Sequence, residues 1–269
     1  MKLTFRIEYR TAWGESIGVM LEGKENAPIM LGTNDGIFWE GYIEDTDAAA
    51  GVPITYRYGV FLDGQCSRRE SGTMAHIFCP GKKRNCHYIL NDAWKDLPEA
   101  SYLYSSAFSG NYELKQAPQS QATGNGDITF RALCPCLHHR KQVLAICGNH
   151  EKLGNWNASR AIVMEEIQAN EWITTLPAEG LQFPLEFKFI AVNAENGEVE
   201  EWETGNNHQL YLNDLRKGEI FYTKETEVQF GWYINELKSI SEMPQFKNVD
   251  IRAEIVPIED GYLSHNMTK

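Results

Sequence analysis

Apolar and polar residues alternate along most of this chain in short runs. LTFRIEY from Leu3, ITYRYGVF from Ile54 and LEFKFIAV from Leu185 each place an apolar or aromatic residue at every second position, the period of a strand with one buried face. Turn signals separate the runs: Gly-Lys-Glu-Asn at 23–26, Thr-Asn-Asp-Gly at 33–36, Pro-Ala-Glu-Gly at 177–180 and Glu-Asn-Gly-Glu at 195–198. Short strands at intervals of about ten residues predict antiparallel sandwiches or barrels of roughly seven or eight strands. No Gly-rich phosphate loop follows a strand and no long helical segment alternates with the strands, which excludes a parallel βαβ fold.

The pattern occurs twice. Leu3-Thr4-Phe5-Arg6 is echoed by Ile128-Thr129-Phe130-Arg131, then IGVML by QVLAIC, Trp39 in IFWEGYI by Trp172 in NEWITTL, and ITYRYGVF by LEFKFIAV. Order and spacing both repeat, so a duplicated unit is expected. Residues 1–95 form the first copy and 127–232 the second. Between them, 96–126 includes the polar stretch QAPQSQATGNG and reads as a linker, with SYLYSSAF before it aromatic enough to dock on a domain. Past Phe230, residues 233–269 have no clear place. WYINELKSISEMPQF suits a short helix and DIRAEIVPI a strand, while Tyr222, Trp232 and Tyr233 either close the second unit or form an interface.

Composition narrows the function classes. Aromatic residues are 12% of the chain, with seven Trp, and the formal net charge is -12 from 37 acidic and 25 basic residues. That excess repels a phosphate backbone, so no nucleic-acid partner is expected, and Lys82-Lys83-Arg84 after a Pro-Gly turn reads as a solvated loop. No apolar run approaches the roughly 20 residues of a spanning helix. No membrane partner is expected. The amino terminus offers no apolar h-region for a signal peptide, which points to a cytoplasmic protein. In that compartment the six cysteines read as free thiols. Cys134-Pro135-Cys136 before His138-His139 is too tightly spaced for a zinc site, and neither metal nor cofactor is expected.

The candidate chemistry lies in the second copy. Leu153-Gly154-Asn155-Trp156-Asn157 and Glu201-Trp202-Glu203-Thr204-Gly205-Asn206-Asn207-His208 set two Trp residues in polar, Gly- and Asn-rich turns, where an aromatic is exposed rather than packed. An exposed aromatic face stacks on the C–H face of a pyranose, and nearby amides and carboxylates bond its hydroxyls. Between these turns lies EFKF, whose alternation sends Phe187 and Phe189 inward and Lys188 outward. Trp172, beside Ile173 in an apolar run, reads as core.

LGNWN, EFKF and WETGNN, in that order and spacing, resemble the family 20 carbohydrate-binding module, the starch-binding domain, over about residues 127–230. The resemblance implies an all-β fold of two antiparallel immunoglobulin-like β-sandwiches in tandem, binding α-1,4-glucan (starch, glycogen or maltooligosaccharides) without catalysis. It implies Trp156 and Trp202 as stacking platforms and Lys188, Glu203 and Asn207 as polar contacts. The first copy reads Leu31-Gly32-Thr33-Asn34-Asp35 and Arg69-Glu70 at the matching places, so that site is lost there. Trp13 stands where family members carry an aromatic for a second, separate glucan site, and the second copy has His139 or Arg140 near that point. The pairing of such modules also resembles the amino terminus of disproportionating-type 4-α-glucanotransferases, which makes a glucanotransferase catalytic domain a candidate partner in a longer chain.

An enzyme in its own right is disfavoured. Glu165-Glu166 and Glu200-Glu201 are adjacent pairs that point to opposite faces of a strand, unlike the facing carboxylates of a glycoside hydrolase, and no G-x-S-x-G elbow occurs. The remaining alternative is a scaffold that recruits a protein partner to storage polysaccharide.

Overall fold

A computed structural model describes residues 1–44, 52–70, 75–81, 85–95, 126–134, 141–168, 170–213, 215–231, 255–258 and 261–264. The alternating runs form strands where expected. In the first copy these are β1 (Lys2–Glu8), β2 (Glu15–Leu21), β3 (Ile29–Met30), β4 (Gly32–Thr33), β5 (Phe38–Glu44), β6 (Ile54–Leu62), β7 (Gln65–Arg69), β8 (His76–Phe78) and β9 (His87–Asp92). In the second they are β10 (Asp127–Leu133), β11 (Gln142–Gly148), β12 (Ile162–Val163), β13 (Glu165–Gln168), β14 (Glu171–Pro177), β15 (Leu185–Asn193), β16 (Val199–Trp202), β17 (His208–Leu210) and β18 (Glu219–Glu227).

The pairings repeat strand for strand. β1 lies between antiparallel β5 and parallel β9, and β10 lies between antiparallel β14 and parallel β18. β6 pairs with β2, β7 and β8, as β15 pairs with β11, β16 and β17. The duplicated order read from the residues therefore extends to the sheet.

The fold is all-β, and the two copies meet in a shared sheet. β18 pairs in parallel with β9, Glu219 opposite His87 through Tyr222 opposite Leu90. This closes one eight-stranded sheet in the order β13-β14-β10-β18-β9-β1-β5-β4. One five-stranded sheet (β3-β2-β6-β7 with β8) belongs to the first copy and another (β12-β11-β15-β16 with β17) to the second. Tyr88 and Leu90 enter the core with Phe5, Tyr56 and Tyr58, whereas Ile89 between them enters the core with Phe130, Phe187 and Phe189. Ile220 and Tyr222 likewise face the first core and Phe221 the second. Successive residues of a strand face opposite ways, so the two smaller sheets cover opposite faces of the shared one. Tyr222 thus closes the first copy's core rather than the second's.

Past the shared strands, charges fill the junction. Arg131 Nη2 lies 2.8 Å from Asp92 Oδ1, and Lys95 Nζ lies 3.0 Å from Glu171 and 3.1 Å from Glu225. Tyr56 and Tyr58 both donate to Asp92 Oδ2, at 2.8 and 2.7 Å. Buried charge persists only when paired in this way.

Among the described residues, Cys66, Cys79, Cys86 and Cys147 are free thiols. The linker up to residue 125, the Lys82-Lys83-Arg84 loop, Cys136 with His138, His139 and Arg140, and Trp232 and Tyr233 lie outside the described residues. Of the carboxy-terminal run, β19 (Ile255–Ile258) pairs with β20 (Gly261–Ser264) as an antiparallel hairpin. No helix among the described residues is long and apolar enough to cross a membrane.

Candidate functional site

The outer face of the second copy's five-stranded sheet carries a small apolar cluster, Ala145, Cys147, Ile190 and Val192, and Trp202 packs against it. Trp202 is opposite Ile190 in the β15–β16 ladder, which fixes its side of the sheet. Trp156 reaches the same face from the turn after β11. There His150 caps a 3-10 turn over Glu151–Leu153, its Nδ1 accepting from the Lys152 N–H at 3.1 Å. Gly154, Asn155 and Trp156 then follow in left-handed conformation, at φ 84, 51 and 58. A Trp at positive φ is strained by about 1–3 kcal/mol and persists only where its surroundings enforce it. The Trp156 N–H donates to the Gly148 carbonyl at 2.8 Å, and the Asn155 N–H to His150 at 3.0 Å. A side chain at Gly148 has no room where β11 meets β15, since a Cβ there would stand 2.4 Å from the Glu186 carbonyl oxygen.

The result is an aromatic pair. The rings of Trp156 and Trp202 lie 6.4 Å apart, inclined at 41°, with Trp156 37% exposed and Trp202 partly exposed. Two platforms set at an angle match a curved ligand better than a flat one.

The expected polar contacts divide. Lys188 faces outward, as its alternation predicts, but its ammonium donates to the carbonyls of Glu203 at 3.0 Å and Gly205 at 2.8 Å, which fastens the loop after Trp202. Asn207 is exposed, its amide 3.4 Å from Glu186 Oε2. Glu203 is turned inward and only 4% exposed, away from any ligand on the tryptophan face. Its Oε1 accepts from the Phe189 N–H at 2.6 Å and its Oε2 lies 2.9 Å from His208 Nε2. Its first-copy counterpart is the same device: Glu70 accepts from the Tyr58 N–H at 2.8 Å and meets His76 Nε2 at 3.0 Å. This carboxylate holds the fold in both copies.

Sequence reasoning missed Glu186. It faces the same side as Lys188, and its carboxylate accepts from both Asn207 and Gln209, the latter at 3.1 Å. The alternation in EFKF carried that signal.

In the first copy, Arg69 sits opposite Gly59 where Trp202 sits opposite Ile190, and Thr33 and Asp35 bond one another at 3.2 Å where the Trp156 turn would be. The aromatic pair has no counterpart there. Trp13 is fully exposed in the turn between β1 and β2, where Gly14 takes φ 87 and the Ala12 N–H donates to Glu15 Oε2 at 2.7 Å. Trp172 is buried at 5%, in the core as read.

Residues 126–222 match the model of the starch binding domain family. The match covers about a third of the chain, and the family of that model is a non-catalytic carbohydrate-binding module. Among solved structures, a glycoside hydrolase family 15 glucoamylase from Hypocrea jecorina is similar at 23% identity and TM-score 0.33, over 43% of this chain and 19% of that one. The chain thus spans about a fifth of that enzyme's length. The family 20 module of a maltotetraose-forming amylase from Pseudomonas saccharophila is similar at 19% identity and TM-score 0.29, over 35% of this chain and 98% of its own. A streptococcal virulence factor described as binding α-glucan is similar at 11% identity and TM-score 0.24, over 82% of this chain and 92% of its own.

Proposed function

We propose that this protein binds α-1,4-glucans, with Trp156 and Trp202 stacking on neighbouring glucose units, Asn207 bonding their hydroxyls and Lys188 holding the loop that presents Trp202. The observation that carries this reading is the partly exposed Trp pair with rings 6.4 Å apart at 41°, since α-1,4 linkage curves a glucan chain. Stacking contributes about 0.5–1.5 kcal/mol per ring beyond buried area, so the single site has micromolar to millimolar affinity, roughly 4–8 kcal/mol.

The wider reading is a tandem of two starch-binding-type modules, 1–95 and 127–232, joined by 96–126, serving as the amino-terminal targeting part of a cytosolic 4-α-glucanotransferase. Its support is the strand-for-strand repetition of pairings and the free thiols, which suit a reducing compartment. Trp13 then offers a second, separate platform on the first module.

Isothermal titration calorimetry with maltoheptaose tests the site. Trp156→Ala and Trp202→Ala each weaken binding about tenfold or more, while the variants unfold at the wild-type urea concentration to within the shift expected of a surface change. Unaltered affinity in both variants removes the assignment.

A further inference from the structure

Because the two smaller sheets cover opposite faces of the shared sheet, each leaves a corner between its short strand, β8 or β17, and the other copy's half of that sheet. The corner at β8 is sealed. His76 there lies 3.9 Å from Asp92 and 3.8 Å from Glu225, inside the network that Lys95 and Arg131 complete. The corner at β17 is open. It holds a groove of about 1210 Å³ between His208–Tyr211 on one side and β1 and β5 on the other. Arg6 occupies the repeat position of Arg131, and His208 that of His76. One corner has been built twice and filled once.

The open groove has the chemistry of a sugar site. Phe38 and Tyr211 line it and are 60% and 67% exposed, so both rings present open faces on which a pyranose can stack. Its charges are matched: Arg6 pairs with Glu40, and Lys224 with Glu8. Nothing there selects an anion or a cation. Its volume exceeds the roughly 300–1,000 Å³ that suits a single small molecule, which favours an oligomer. Tyr211 Oη donates to Gln209 Oε1 at 2.9 Å, Gln209 Nε2 donates to Glu186 at 3.1 Å, and Glu186 also receives Asn207. A belt of hydrogen bonds thus runs from the groove to the loop that carries Trp202.

We propose that this groove is a further binding site for a neutral α-glucan chain, with Phe38 and Tyr211 as stacking platforms and Gln209 as a hydroxyl partner. The proposal rests on the glucan reading of the tryptophan face. It is tested in a chain carrying Trp13→Ala, Trp156→Ala and Trp202→Ala together, which removes the other platforms. That chain retains weak maltoheptaose binding by calorimetry or saturation-transfer NMR, on the order of millimolar. Adding Phe38→Ala and Tyr211→Ala weakens the residue about tenfold or more. Both side chains are exposed, so their loss leaves the fold intact, which an unchanged unfolding midpoint verifies. No residual binding in the triple variant, or residual binding indifferent to Phe38 and Tyr211, overturns the groove and leaves the tryptophan site standing. Absence of binding by the wild-type chain overturns both.

Discussion

Glu203 and Asn207 belong to one loop but do different things, and substitutions separate them. Glu203→Ala leaves the buried Phe189 N–H and His208 without their acceptor, a loss of about 1–3 kcal/mol that urea unfolding reads directly. Asn207→Ala, at an exposed amide, leaves stability within about 0.5 kcal/mol and lowers glucan affinity instead. Gly154→Ala acts on both counts: the residue has φ 84, and a Cβ would stand 2.9 Å from the Asn157 carbonyl oxygen. Destabilisation of about 1 kcal/mol or more then comes with weaker maltoheptaose binding, because Trp156 is presented by this turn. The exposure of Trp156 was legible in the sequence because a polar, Gly- and Asn-rich turn favours an open indole, whereas the packing of Trp202 against Ala145, Cys147, Ile190 and Val192 was not. The inward turn of Glu203 was legible too, since alternation sends it to the face opposite Trp202, yet its position beside Trp202 in a sugar-like motif outweighed that parity.

The long strands were legible for the same reason, since each buries one face and alternates. β9 and β18 were not. HYIL and EIFY show no alternation because each strand packs into one core on one face and the other core on the other, the pattern of a strand covered on both sides. Two-residue strands such as β3, β4 and β12 are too short to have a period at all. The shared strands carry a prediction. Ile89, on a first-copy strand, is buried in the second copy's core, and Tyr222, on a second-copy strand, in the first copy's. Ile89→Ala and Tyr222→Ala each therefore destabilise the far copy by roughly 2–5 kcal/mol. Hydrogen exchange shows this as lost protection in β15 for the former and in β6 for the latter. Protection lost only in the copy that contributes the residue contradicts a shared sheet.

At the scale of the whole molecule, the junction makes stability depend on pH in a defined direction. Burial and Lys95 oppose a charge on His76, but Asp92, Glu70 and Glu225 outweigh them and raise its pKa from 6.5 to about 9. In the unfolded chain the imidazole loses its proton near pH 6.5. Protonated His76 therefore contributes stability that is fully present below pH 6.5 and is lost as pH rises toward 9. Glu225 works from the other side. Burial alone would raise its carboxyl, yet Lys95, His76 and Arg131 hold it well below the usual carboxylate range, so its contribution is present above the unfolded value near 4.5 and lost as pH falls below it. Maximum stability thus lies between these limits, on the acid side of neutrality. From pH 6.5 to 9 the unfolding free energy falls with a slope approaching about 1.4 kcal/mol per pH unit. His76→Gln, which keeps a donor toward Glu70 without the titrating charge, flattens that alkaline limb while lowering stability at pH 6. A limb unchanged in His76→Gln assigns the titration to another group and leaves the junction a passive ion network.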